Sequence, residues 1–131
     1  MAITGVMQRW QGKVLGVFGG IKGTFSLLPS VVTALGSNSQ ANSLLIKRPV
    51  TIVTVASVST RGVRLPLPFD TVNGGDTRIV LNATAGSVLV YPNSGAAIGS
   101  GSANQATTMV AGKAYMFIAQ SGTQWRYLKG A

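Results

Sequence analysis

From residue 50 onward, the chain is a succession of short segments rich in β-branched and aromatic residues, separated by turn-forming residues. Residues 50–56 are mostly valine, threonine and isoleucine, which have high strand propensity. Clusters of proline, asparagine, serine and glycine, such as residues 92–95, interrupt the chain at intervals of roughly 8–12 residues. Further strands are predicted at residues 63–66, 78–82, 87–91, 107–110, 114–119 and 124–128. The pattern predicts an all-β fold, a β-sandwich or jelly-roll-like domain with an N-terminal extended arm.

Alternation within these segments predicts which side chains share a face of a sheet. In residues 50–56, Val50 and Ile52 lie on one face and Val53 lies on the other. Both faces of this strand are partly apolar, so we expect both to be covered. In residues 78–82, Ile79 and Leu81 share one face.

The last two predicted strands carry aromatic side chains at alternate positions. Tyr115 and Phe117 share one face of the first strand, and Trp125 and Tyr127 share one face of the second. If the two strands pair, these rings form a cross-strand cluster that belongs to the core. The functional alternative is a platform on which bases or sugars stack.

Residues 1–35 differ from the rest of the chain, because aromatic and cationic residues stand there in a glycine-rich, apolar context. The glycines argue against a stable helix, so we expect an extended arm or a pair of short strands. The only helical candidate is residues 31–35, with Ser30 as a possible N-cap. Residues 36–43 are small and polar, which is typical of a linker. We therefore expect a docking arm and linker over residues 1–43 and a β domain over residues 44–131. The predicted docking residues are Arg9, Trp10, Lys13, Phe18 and Lys22.

Almost all charged residues of the chain are cations. There are 11 lysines and arginines against 2 acidic residues, Asp70 and Asp76, so the net charge is +9. This balance favours a partner with a negative surface, either nucleic acid or an acidic protein face. Scattered charge that only keeps the protein soluble is the alternative. Only Lys47 and Arg48 are adjacent, so no footprint specific to nucleic acid is indicated.

The residues that catalysis and metal binding usually need are scarce. The chain has no histidine, no cysteine and no glutamate, so the common general bases and the thiol nucleophile are missing. Asp70 and Asp76 flank a glycine-rich turn, where aspartate is an ordinary turn residue. We therefore expect no enzymatic activity, no cofactor and no metal site. No charge-poor segment is free enough of polar residues and glycine to predict a membrane span.

Five short stretches, taken in order, resemble a pattern in small β-structured proteins of tailed bacteriophages. They are Arg-Gly-Val-Arg-Leu-Pro at 61–66, Thr-Arg-Ile-Val-Leu-Asn at 77–82, Leu-Val-Tyr-Pro-Asn-Ser-Gly at 89–95, Ala-Gly-Lys-Ala at 111–114 and Gln-Trp-Arg-Tyr-Leu at 124–128. The pattern is similar to that of capsid decoration (cement) proteins and of head- or tail-fibre modules.

The resemblance implies a virion protein on the capsid surface that binds the major capsid protein, forms a dimer or trimer and has no catalytic site. Two alternatives stay open. One is a tail or fibre module that binds a host surface. The other is a basic nucleic-acid-binding β domain that uses Trp125 or Tyr127.

Overall fold

The computed structural model describes residues 28–36, 39–56, 61–70 and 76–130. These residues form ten strands and no helix, which confirms the all-β prediction. The strands are β1 (Ser30–Thr33), β2 (Leu44–Leu45), β3 (Val50–Val55), β4 (Gly62–Arg64), β5 (Thr77–Asn82), β6 (Val88–Tyr91), β7 (Ala97–Ile98), β8 (Thr107–Met109), β9 (Ala114–Ser121) and β10 (Gln124–Lys129).

Within the described residues, the strands form a large sheet of six strands and a small sheet of four. The order is β1-β3-β5-β9-β10-β7 in the large sheet and β2-β4-β6-β8 in the small sheet. From β1 to β8 the chain alternates between the two sheets, so the successive strands of each sheet run parallel through β5 and β6. Strand β9 then pairs antiparallel with both β5 and β10. It thereby joins strands that are distant in sequence.

One cluster of buried apolar residues draws on both sheets. Val53, Val80 and Phe117 come from the large sheet, and Val63 and Val90 come from the small sheet. All five are completely buried. We call the face of the large sheet that carries Val53, Val80 and Phe117 its inner face, and the opposite face its outer face.

The helical candidate at residues 31–35 does not form a helix, because the strand β1 occupies most of that range. Val31, Val32 and Thr33 are β-branched and lose rotamer freedom in a helix. Strand β3 offers them a parallel partner, with Val31 opposite Ile52. Tertiary pairing therefore decides against the helix that a single serine cap suggested.

The described part of the predicted linker forms a turn that is held by hydrogen bonds. Ser43 is buried, and its Oγ donates to the carbonyl of Gln40 at 2.6 Å. Gln40 Nε2 donates to the carbonyl of Pro92 at 2.7 Å, and Arg64 Nη1 donates to the carbonyl of Gln40 at 3.1 Å. The small polar residues at 40–43 thus attach this turn to β4 and to the end of β6.

Candidate interaction surface

The outer face of the large sheet carries a row of four apolar side chains that crosses four strands. Val50 lies opposite Ile79, Ile79 lies opposite Met116, and Met116 lies opposite Leu128. Residues that pair directly in a sheet project from the same face. The row therefore forms one continuous apolar band from β3 to β10.

A second apolar row lies beside the first. Val31 pairs with Ile52, Ile52 with Leu81, and Leu81 with Ala114. We call these two rows, together with Ile118, the apolar face. Its most exposed members are Val31 and Leu128 at 65%, Ile118 at 39% and Met116 at 37%. Large apolar side chains that stay accessible as a contiguous group mark interaction sites more often than ordinary surface.

The apolar face contains a groove of about 260 Å³. Ile79, Met116 and Leu128 line it, and the small side chain of Ala114 leaves space beside them. A depression of this kind can accept a single apolar side chain from another surface.

The two acids of the chain both act on one buried cation on the other side of the sheet. Arg78 projects from the inner face of β5 and has no exposed surface. Its Nη1 donates to the carbonyl of Thr77 at 2.8 Å. Burial lowers the pKa of the Arg78 guanidinium, and the charges of Asp70 and Asp76 partly oppose that shift. The negative charge of the chain is therefore concentrated around Arg78.

The remaining cations of the described residues lie at the surface. Lys47, Arg48, Arg126 and Lys129 are exposed. Arg61, Arg64 and Lys113 are partly exposed. Away from Asp70 and Asp76, the described surface is therefore positive, and a negatively charged partner meets no fixed charge that repels it.

The predicted aromatic cluster is present, and it belongs largely to the core. Strands β9 and β10 pair, with Tyr127 opposite Phe117. The ring centroids of Tyr115 and Tyr127 are 5.6 Å apart with an interplanar angle of 10°. Phe117 and Tyr127 are 5.9 Å apart. Trp125 is completely buried, so its ring is not accessible to a base, whereas Tyr127 stays partly exposed.

A small polar pocket adjoins the exposed side of Tyr127. It has a volume of about 320 Å³. Ser100, Gln105, Thr107 and Tyr127 supply hydroxyl and amide groups to its wall, and Ile98 supplies apolar surface. These groups are neutral, so the pocket suits an uncharged polar ligand.

The predicted docking residues lie outside the described residues. They are Arg9, Trp10, Lys13, Phe18 and Lys22. Among residues 28–36, 39–56, 61–70 and 76–130, no cluster of three or more acids, histidines or cysteines is positioned to hold a metal ion. The same residues include no helix long and apolar enough to cross a bilayer.

No family model and no curated protein matches the sequence, and no solved structure matches the fold.

Sequence reasoning identified only part of the apolar face. It expected Val50 and Ile52 on one face of a strand covered on both sides. In this single chain, Thr51 and Val53 are completely buried on the inner face, and the outer face stays partly open. Residues 114–119 also alternate, which places Met116 and Ile118 together. That signal was available in the sequence, but the pairing of β5 with β9 was not.

Proposed function

We propose that this chain is a non-enzymatic structural protein of a virion, a capsid decoration protein that binds the outer surface of a phage head and stabilises the shell by bridging capsomers. The observation that supports it best is the excess of cations at the described surface: Asp70 and Asp76 are its only acids and both act on buried Arg78, whereas the other described cations reach the surface. The common core of the two sheets further supports a β-sandwich as the body of this protein.

The surface charge gives the proposed attachment its driving force. A chain of net charge +9 is attracted to an acidic shell. This attraction accelerates encounter and weakens as salt screens it, over a Debye length of about 8 Å at physiological ionic strength. Attachment to the major capsid protein should therefore be fastest and tightest at low salt.

In this proposal, the segment before β1 that carries the predicted docking residues follows a groove between neighbouring capsomers, since Ser30–Thr33 belong to the large sheet. Ordering such an arm costs conformational entropy, so buried aromatic anchors have to offset that cost. Trp10 and Phe18 are the proposed anchors, and Arg9, Lys13 and Lys22 steer the approach. If Trp10 is a hot spot, Trp10→Ala weakens binding by about 2 kcal/mol.

The test is sedimentation of the full chain with phage heads that lack it. We expect saturable co-sedimentation that falls with salt, and heads that withstand higher temperature once decorated. Trp10→Ala should reduce the bound amount, whereas Phe69→Ala, which removes an exposed ring elsewhere, should not. Failure of the wild-type chain to sediment with heads at low salt would reject the proposal.

The pocket beside Tyr127 favours a second candidate function, a fibre module that binds a neutral glycan of a host surface. An aromatic ring next to hydroxyl and amide groups suits a sugar, whose hydroxyls need such partners. Binding to neutral oligosaccharides that is lost in Tyr127→Ala would support this candidate. A gene position among tail genes would also favour it, whereas a position next to the major capsid gene favours decoration.

A further inference from the structure

The turn between β6 and β7 holds a backbone nitrogen against the side chain of the preceding asparagine. Ser94 N donates to Asn93 Oδ1 at 2.6 Å. The carbonyl of Asn93 accepts from the N–H of Ala96 at 2.9 Å, and Gly95 has a φ of 83°, as the third residue of a type II turn does. Asn104 Oδ1 accepts from the Gly95 N–H at 2.8 Å. These bonds keep the Ser94 nitrogen beside the Asn93 amide.

We propose that Asn93 is a site of spontaneous modification, at which its amide becomes a carboxylate through a cyclic imide. Hydroxide removes the Ser94 N–H proton, and the nitrogen forms a bond to Asn93 Cγ. The bond from Cγ to the side-chain nitrogen breaks, and that nitrogen takes a proton from water and leaves as ammonia. Water then opens the imide. Cleavage between Cγ and the Ser94 nitrogen gives aspartate, and cleavage between the main-chain carbonyl carbon and that nitrogen gives isoaspartate.

The distance between the reacting atoms supports the first step. A carbonyl bond is about 1.2 Å long, so a nitrogen 2.6 Å from Oδ1 lies at most about 3.8 Å from Cγ. A small side-chain rotation brings the pair to the near-attack distance of about 3–3.5 Å. Asn93 is partly exposed and Ser94 is exposed among the described residues, so hydroxide and water reach the turn.

A second asparagine-serine pair provides a comparison within the chain. Asn42 also precedes a serine, but the Ser43 N–H donates to the carbonyl of Gln40 at 3.3 Å, and Ser43 is buried. The nitrogen that would attack the Asn42 amide is therefore engaged elsewhere. The local sequence makes the two sites equivalent, so a difference in their rates reports the fold.

The other two described asparagines are held away from this reaction. Asn82 is completely buried, and its amide makes four hydrogen bonds. Asn104 Oδ1 accepts from two donors, and the N–H of Gln105 donates to the carbonyl of Ser102 at 3.1 Å. Among the described asparagines, the geometry therefore selects Asn93.

The modification changes both charge and backbone at the surface. Each conversion lowers the net charge of +9 by one and places an acid at the turn before β7. Isoaspartate also adds one methylene to the main chain within a turn that the Ala96 N–H closes. The inference concerns the turn alone and does not rest on the proposed attachment to a phage head.

The experiment is a timed incubation of the full chain at mildly alkaline pH, followed by peptide mapping with mass spectrometry and chromatographic separation of isoaspartate. We expect Asn93 to convert at least about tenfold faster than Asn42 in the folded chain, because only its nucleophile is positioned. In urea the two rates should converge. The mapping counts Asn73 separately, which precedes a glycine and lies outside the described residues.

Two variants at the next residue separate the nucleophile from the turn. Ser94→Pro removes the attacking N–H and suits the second position of a type II turn, so conversion at Asn93 should stop while circular dichroism stays unchanged. Ser94→Ala keeps the N–H, and conversion should continue. Equal rates at Asn93 and Asn42 in the folded chain, or conversion that persists in Ser94→Pro, would overturn the inference.

Discussion

Strand β5 reverses the usual distribution of polarity between the two faces of the large sheet. On the inner face, Arg78 and Asn82 are completely buried beside Val80. On the outer face of the same strand, Ile79 and Leu81 stay partly accessible. The difference shows that a side chain of this sheet is buried when it faces the second sheet, whatever its polarity. The apolar outer face is suited to contact with another surface.

The inner face tolerates the side chain of Asn82 because its amide has hydrogen-bond partners. Asn82 Nδ2 donates to the carbonyls of Gly86 at 2.8 Å and Met109 at 3.2 Å. Its Oδ1 accepts from the backbone N–H of Thr84 at 3.0 Å and from the Thr84 hydroxyl at 2.7 Å. A buried amide satisfied in this way avoids the desolvation penalty of an unpaired group. Asn82 thereby ties β5 to the following turn and to β8.

The largest expected effect tests the apolar part of the inner face. Phe117→Ala removes a completely buried ring and should lower the free energy of unfolding by about 3–5 kcal/mol, because it leaves a cavity. Urea denaturation followed by circular dichroism measures the change. Phe117→Leu keeps most of the packing and should cost much less. Equal stability of Phe117→Ala and wild type would mean that this face is not the core.

The next effect concerns the buried amide. Asn82→Ala should lower the free energy of unfolding by about 2–3 kcal/mol, because the carbonyl of Met109 loses its side-chain donor and the turn at Thr84 loses its acceptor. Asn93→Ala is the control, since it removes an amide whose oxygen accepts from the Ser94 N–H at an exposed turn. The control should change stability by no more than about 0.5 kcal/mol. A loss as large in Asn93→Ala would contradict the assignment of this role to Asn82.

A third test addresses the small sheet, where Tyr91 is buried at the end of β6. Burial raises the pKa of the Tyr91 hydroxyl above its ordinary value of 10.0. The folded state then holds this proton more tightly than the unfolded chain, so the free energy of unfolding falls as pH rises above 10.0. Tyr91→Phe should show a weaker loss over the same alkaline range. Identical pH profiles for the two proteins would show that Tyr91 contributes nothing to the decline.

The smallest effect is expected on the outer face. Ile118→Ala should change the free energy of unfolding of the monomer by less than about 1 kcal/mol, because its side chain is 39% exposed. The measurement is made at concentrations low enough to keep the chain monomeric. Ile118 is adjacent to Phe117 in β9, so the pair contrasts the two faces at one place in the sheet. A loss as large as that of Phe117→Ala would mean that the outer face is covered within a single chain.

The sequence alone predicted most strands and turns, because these depend on local chemistry. Predicted strands at 50–56, 78–82, 114–119 and 124–128 overlap β3, β5, β9 and β10. The turns before β7 and β9 place Gly95 and Gly112 at φ of 83° and 70°, backbone angles that glycine adopts readily. Neither kind of prediction depends on which strands are neighbours in a sheet.

The tertiary structure decided which strands pair and which face each strand buries. Alternation shows that Ile79 and Leu81 lie together, but it does not show whether the second sheet covers them or covers Arg78 and Asn82. That choice depends on contacts distant in sequence, such as the pairing of β5 with β9. The same pairing brings Ile79 and Met116 into one row. The apolar face is therefore a product of non-local strand order, which no local propensity encodes.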